Sequence, residues 1–182
     1  GQEDHALRLD CRSLEFELVP LPQDVRLVIC NTMVKHSIAG GEYNERRAEC
    51  ERGVQLLAQH LPAIKALRDV SEAQFQQYEA ELPELIRKRC RHVITENARV
   101  LQAVTALQQG DLAAFGHLMY ESHRSLREDY AVSCAELDLM VELAAEVEGV
   151  YGARMAGGGF GGCTINLVKA DYVTAFTQTV AE

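Results

Sequence analysis

The chain is 182 residues long, with 47% apolar and 25% charged side chains and a formal net charge of -9 from 27 acidic and 18 basic groups. Those proportions belong to an ordinary globular protein, and the acidic balance argues against the clustered positive charge that nucleic acid or an anionic membrane requires. No apolar run is long enough to span a bilayer and no leader pattern is present, so a cytoplasmic protein with no nucleic-acid or membrane partner is expected.

Taken in order, residues 6–19 alternate, with Leu7, Leu9 and Cys11 on one face and Leu14, Phe16 and Leu18 on one face around Asp10-Cys11-Arg12-Ser13, a hairpin pattern. Pro20 and Pro22 end it. Residues 25–30 read as another strand, more continuously apolar and therefore expected to be more buried. The abrupt start at Gly1 suggests that the chain begins in the middle of something longer. Residues 31–41 are a polar loop into a helix over 42–60, with opposite charges four apart at Glu42/Arg46 and Arg47/Glu51, and Pro62 stops it.

Ser71 with Gln74 has the form of a capping box opening a short helix. From Glu84 onward apolar residues keep helical spacing through Leu107 to Gly110, the longest helix. Its basic run, Arg87, Lys88, Arg89, Arg91 and His92, reads as a solvated helix face. Gly110 closes that helix and Asp111 caps the next, over 112–121. Ser133 with Glu136 reads as another capping box, opening a helix that Gly149 ends. The six cysteines (Cys11, Cys30, Cys50, Cys90, Cys134, Cys163) show neither a C-x-x-C pair nor zinc-ligand spacing, so reduced thiols and no metal site are expected. Strands at both ends with helices between them point to an α+β fold.

Near the end, Gly157, Gly158, Gly159, Gly161 and Gly162 fill a six-residue window, a density that implies positive φ or close approach to bare backbone. The window fits G-x-G-x-x-G in form. That fingerprint needs a helix after the glycines, whereas residues 163–168 alternate as a strand. A Walker loop needs a lysine that Gly162-Cys163-Thr164 lacks. What remains is a glycine loop between two extended segments, able to form an anion-binding nest, or simply a tightly packed β connection. The strand over 163–168 is expected to pair with residues 150–155 and 25–30, which brings the glycine loop to the loop after Cys30.

No nucleophile, base and oxyanion set emerges. Ser122-His123 and Lys35-His36-Ser37 are adjacent only in sequence, which signals nothing about catalytic pairing. Asp129-Tyr130 reads as a structural hydrogen-bonding pair. Tyr43, at a helix start beside a polar loop, is better placed than most to touch a ligand.

The segments Met33-Val34-Lys35-His36-Ser37 with Gly41-Glu42-Tyr43, Arg91-His92-Val93 with Glu96, Ser122-His123 with Ser125-Leu126-Arg127, Asp129-Tyr130 and Ser133-Cys134, and Gly152-Ala153-Arg154-Met155 through Thr164 together resemble the galactokinases, of the GHMP kinases. The resemblance runs over nearly the whole chain, opening residues included. It implies a GHMP-kinase C-terminal domain at 23–182, an antiparallel sheet packed with helices, preceded at 1–22 by a hairpin belonging to the N-terminal domain's sheet. It implies phosphoryl transfer from ATP to galactose, with Tyr43 on the sugar and the glycine loop beside the active site, a role that suits a reaction dominated by positioning. It also implies that the catalytic aspartate and arginine, the phosphate loop and the Mg2+ ligands precede Gly1, so this chain holds no catalytic or metal residue, needs the N-terminal half as partner, and is inactive alone. It further implies that the family's closing strand falls beyond the C-terminus. The alternatives are another GHMP sugar kinase, such as an N-acetylgalactosamine kinase, or a non-catalytic galactose and ATP sensor.

Overall fold

β1 (His5–Leu9) and β2 (Phe16–Pro20) form an antiparallel hairpin in which Leu7 faces Leu18 and Leu9 faces Phe16. The computed structural model describes residues 1–34 and 41–181. Asp10 closes the turn by accepting the amides of Arg12 and Ser13 at 2.8 and 3.2 Å, the local bonding that favours aspartate in turns. Val19 and Ala6, across from each other, point inward. The turn is fastened to the body by a crossed pair of ion bridges, Arg68 to Asp10 and Arg12 to Asp69.

β3 (Val25–Asn31), β4 (Val150–Ala156) and β5 (Cys163–Lys169) make an antiparallel sheet in the order β3-β5-β4, the pairing expected from the sequence. One sheet face, with Val28, Cys30, Ala153 and Val168, packs on α5 (Ala135–Glu146) and α6 (Val173–Ala181) around Phe176. The other, with Ile165, Leu167 and Tyr151, packs on α4 (Leu112–Ser125), the end of α3 (Glu84–Gln108) and the hairpin's Val19. Glycine decides how near α4 can lie: a Cβ on Gly116 would stand 1.9 Å from the Tyr151 carbonyl oxygen, and one on Gly152 2.4 Å from that of Gly116. A second core joins α3 to α1 (Glu42–Leu57) and α2 (Glu72–Tyr78) around Leu57, Phe75 and Ile94, and Cys90 fills the space that Gly53 leaves.

Several caps form as expected. Ser71 and Gln74 bond reciprocally and Asp111 accepts the Ala114 amide at 2.9 Å. Others differ. Cys134, not Ser133, precedes α5, because the Ser133 hydroxyl donates to Asp138 at 2.6 Å. Arg46 turns from Glu42 to Glu49 at 2.6 Å. β3 is an edge strand with Leu27 and Ile29 51% and 67% exposed, so its apolar run did not mean burial: an apolar strand marks a face that needs covering, whether or not this chain covers it. The basic run on α3 is not wholly solvated either, since Arg89 and His92 are buried. Finally α4 extends past the expected end and passes into a π-helical turn at Leu126–Tyr130.

Candidate functional site

The pairing of Ala156 with Cys163 leaves residues 157–162 as the β4–β5 hairpin loop. Gly157, Gly159, Phe160, Gly161 and Gly162 all have positive φ, between 62° and 139°, a run that only a glycine-rich segment adopts cheaply. Two glycines meet the rest of the chain closely. A Cβ on Gly159 would stand 2.1 Å from the Val132 carbonyl oxygen, and one on Gly161 2.8 Å from that of Val34. Among the described residues Gly157 and Gly162 need glycine for their φ alone, with nothing within 4 Å of a Cβ there. Gly158 needs it for neither reason: its φ is not positive and a Cβ there would meet none of the described residues within 4 Å.

The loop after β3 does meet the glycine loop. The amide and the hydroxyl of Thr32 both donate to the Gly162 carbonyl at 2.8 Å, and β3–β5 register places Asn31 opposite Cys163. Lys35, His36 and Ser37 lie outside the described residues. At the centre of the loop the Phe160 amide donates inward to the Val132 carbonyl at 2.6 Å. A nest of consecutive outward amides is therefore interrupted at its middle.

Tyr43 stands in the first turn of α1 and is 68% exposed. Its phenol is near enough to that of Tyr130 to help raise the latter's pKa, after burial and the neighbouring Cys50 thiol. Tyr130 packs with Phe160 on the cluster formed by Leu126, Val132, Leu137 and Met155. Tyr43 and the glycine loop thus flank one buried cluster.

Beside the loop a groove of about 340 Å³ runs between the sheet and α3/α4, with Leu27, Phe115, Met119 and Ile165 along it and Glu96, Arg154 and Gly157 at its polar end. Burial pushes the Glu96 carboxyl up, but the Ser122 hydroxyl and the Arg154 and Arg99 guanidiniums outweigh it and hold the group below its ordinary value. Ser122 and His123 make no catalytic pair. Ser122 donates to Glu96 at 2.5 Å, whereas Nδ1 of His123 accepts the Met155 amide at 3.3 Å. Nε2 of His123 lies 3.1 Å from Asp138 but off the line of a hydrogen bond. Burial lowers the His123 pKa against the pull of that carboxylate, so the ring is a neutral strap between α4 and β4.

Among the described residues no three His, Cys, Asp or Glu side chains converge in a way that would hold a metal ion, so no step through Mg2+ is derived from them. What these residues can do is position: a tyrosine, a strained loop and a polar groove end, all braced from within. Thr32 and Val132, which do the bracing, carry no sequence signal of their own, because both contacts end on main-chain carbonyls.

A scan against family models matches residues 103–178 to "GHMP kinases C terminal". Those residues belong to a GHMP kinase C-terminal domain. The whole chain is 48% identical to a galactokinase of Roseiflexus sp. (strain RS-1), covering 46% of that protein, and 50% identical to a galactokinase of Pasteurella multocida, covering 47%. It superposes on 47% of the crystal structure of Lactococcus lactis galactokinase complexed with galactose, with a TM-score of 0.93, 40% identity and 99% of this chain covered. The crystal structure of L. major mevalonate kinase in complex with R-mevalonate shares the fold over 97% of this chain and 44% of its own, with a TM-score of 0.59 and 24% identity. The chain spans about half the length of the curated relatives it matches. The α+β fold with antiparallel sheets and helices expected from the sequence is the one observed.

Proposed function

We propose that this chain is the C-terminal portion of a galactokinase, which phosphorylates galactose with ATP. In this reading Tyr43 contacts the sugar, and Gly157, Gly158, Gly159, Gly161 and Gly162 form the wall beside the transferring phosphoryl group. The catalytic aspartate and arginine, the phosphate loop and the Mg2+ ligands belong to the preceding half, and this chain alone is inactive. The observation that carries the reading is Gly158. Nothing among the described residues accounts for a glycine there, and in this reading the outer side of the loop is where a ligand or another segment comes close. The similarity to galactokinases over the whole of this chain supports the choice of sugar over other GHMP substrates.

The preceding half also has a place to dock. Leu7, Leu9 and Phe16 are 50%, 49% and 67% exposed on the outward side of the hairpin, an inversion of the usual apolar-in pattern. Residues 1–22 then complete the sheet of that half, and 23–182 form the C-terminal domain. Phosphoryl transfer is governed by positioning and charge stabilisation, and a loop stiffened by its own chain suits that part.

The test is galactose-dependent ATP turnover by this chain alone and mixed with a separately expressed preceding half. Turnover only in the mixture supports the reading. Turnover by the chain alone overturns the division of labour, and a folded, inactive mixture overturns the activity. A panel with N-acetylgalactosamine and mevalonate in the same mixture assigns the acceptor.

A further inference from the structure

The two elements given substrate contacts above, α1 with Tyr43 and the loop 157–162, are both fastened to one five-residue turn. Leu126–Tyr130 is π-helical, a geometry that recurs at functional sites, and it ends with Ala131 in the left-handed conformation (φ 53°) and the Val132 amide returning to the Leu126 carbonyl at 3.0 Å.

On one side the turn holds α1. Nη1 of Arg89, on α3, donates to the Asp129 carbonyl at 2.6 Å, while its Nε donates to Glu49 of α1 at 2.7 Å. Glu49 also accepts Nη1 of Arg46 at 2.6 Å, and Arg46 lies three residues, less than one helical turn, from Tyr43. The side chains of Arg89, Glu49 and Arg46 are 5%, 11% and 12% exposed. Tyr130 adds its own tie, stacking on His92 with ring centroids 4.4 Å apart and approaching the Cys50 thiol at 3.8 Å. On the other side the same turn holds the glycine loop, since Val132, three residues past Asp129, takes the Phe160 amide and presses on Gly159.

We infer that the turn Leu126–Tyr130 is a shared mount for Tyr43 and the glycine loop, and that Arg89 is the positioning residue that locks it to α1. Arginine is required by geometry: the planar guanidinium reaches a carboxylate and a carbonyl in different directions at once, which a lysine ammonium on its flexible stem does not reproduce. Because Arg89 touches neither Tyr43 nor the loop, its effect reaches the site only through the turn. The significance of the pair for catalysis rests on the function proposed above; the mechanical coupling does not.

Amide hydrogen exchange on the 182-residue chain tests it. In Arg89→Gln, exchange in residues 42–57 and in residues 157–162 rises together by about tenfold or more, the scale of a lost charge-assisted hydrogen bond, while the β1–β2 hairpin keeps its rate. Loosening of α1 with an unchanged loop overturns the shared mount. If Arg89→Gln loosens the hairpin as well, Arg89→Lys, which keeps the buried charge, replaces it: the same two segments rise by a smaller factor, and an unchanged loop overturns the proposal again. The exchange measurement reads no turnover, so a failed galactokinase assignment leaves it intact. In the assembled halves Arg89→Lys raises the galactose KM and lowers kcat together; a KM rise with unchanged kcat overturns the role of the loop.

Discussion

The β4–β5 loop and the β1–β2 hairpin both reverse the chain between antiparallel strands, and they face opposite ways. The glycine loop turns its polar backbone inward, onto the Val132 and Thr32 groups, and its two crowded glycines are explained by carbonyls of this chain. The hairpin turns its apolar side chains outward, with Leu7, Leu9, Leu14 and Phe16 all at least 49% exposed. Its inward face is held by Val19 and by polar ties such as Gln108 to Glu17 at 2.8 Å. The first region is complete as it stands. The second has the chemistry of a surface that waits for a partner.

Substitutions in the first region therefore strike stability directly. Gly159→Ala forces a Cβ against the Val132 carbonyl at a backbone φ of +85°. A loss of about 3 kcal/mol or more is expected from the clash and the strain together, read as a lowered urea midpoint. A midpoint within experimental error of the parent would mean that the loop is not braced from inside.

Acid attacks the helices behind that loop next. Burial lowers the His92 pKa from 6.5 to about 4, with the Ser125 hydroxyl at 2.9 Å on its Nδ1. Glu96 on α3 draws that pKa upward and Arg99, Arg154 and Arg89 press it down. The folded ring stays neutral where the unfolded one takes a proton, so the unfolded state binds more protons between those two values. Stability is fully present above about pH 6.5 and falls as the pH drops toward 4, by roughly 3 kcal/mol at the lower end for this one group. His92→Gln flattens the fall in that window, ahead of the carboxylates Glu49 and Glu96, whose lowered pKa values delay their own contribution to lower pH. An identical pH profile in the variant would remove His92 from the account.

The hairpin should behave in the contrary manner. Leu9→Ser with Phe16→Ser deletes two exposed apolar side chains and leaves Val19 and the inward ties in place. The unfolding midpoint should move by less than about 0.5 kcal/mol per site, while sedimentation shows less self-association. A fall of several kcal/mol would show that this face already belongs to the chain's own core.

Much of this was legible in the sequence, for physical reasons that can be named. Local bonding fixed the Ser71 and Asp111 caps and the Gly110 stop, and period-2 alternation fixed β1, β2 and β5. The order β3-β5-β4 matches the expected pairing of residues 163–168 with 150–155 and 25–30. What stayed hidden depends on distant partners. Arg89 and His92 share a helix face with Ile86 and Cys90, yet their charge pointed to solvent until Glu49, forty residues away in sequence, was placed beside them. The π turn has no pattern of its own, and α6, with its small apolar residues, carried no cap to announce it. For the site, the glycine loop and Tyr43 were visible as residues, while their common mount was not, because it runs through the main-chain carbonyls of Asp129 and Val132.

The smallest effect on stability is the most informative about function. Gly158→Ala places a methyl where no described residue stands within 4 Å, at a φ outside the left-handed region, so the chain alone should melt within about 0.5 kcal/mol of the parent. In the assembled halves the same methyl stands on the outer side of the loop, where the nearest approach is made by something other than this chain. Turnover there should fall by about tenfold or more, since sub-ångström misplacement of reacting groups is expensive, with the melting point of this half unchanged. Equal turnover in parent and variant would mean that Gly158 faces nothing, and the glycine loop would then be a braced β connection with no part in the reaction.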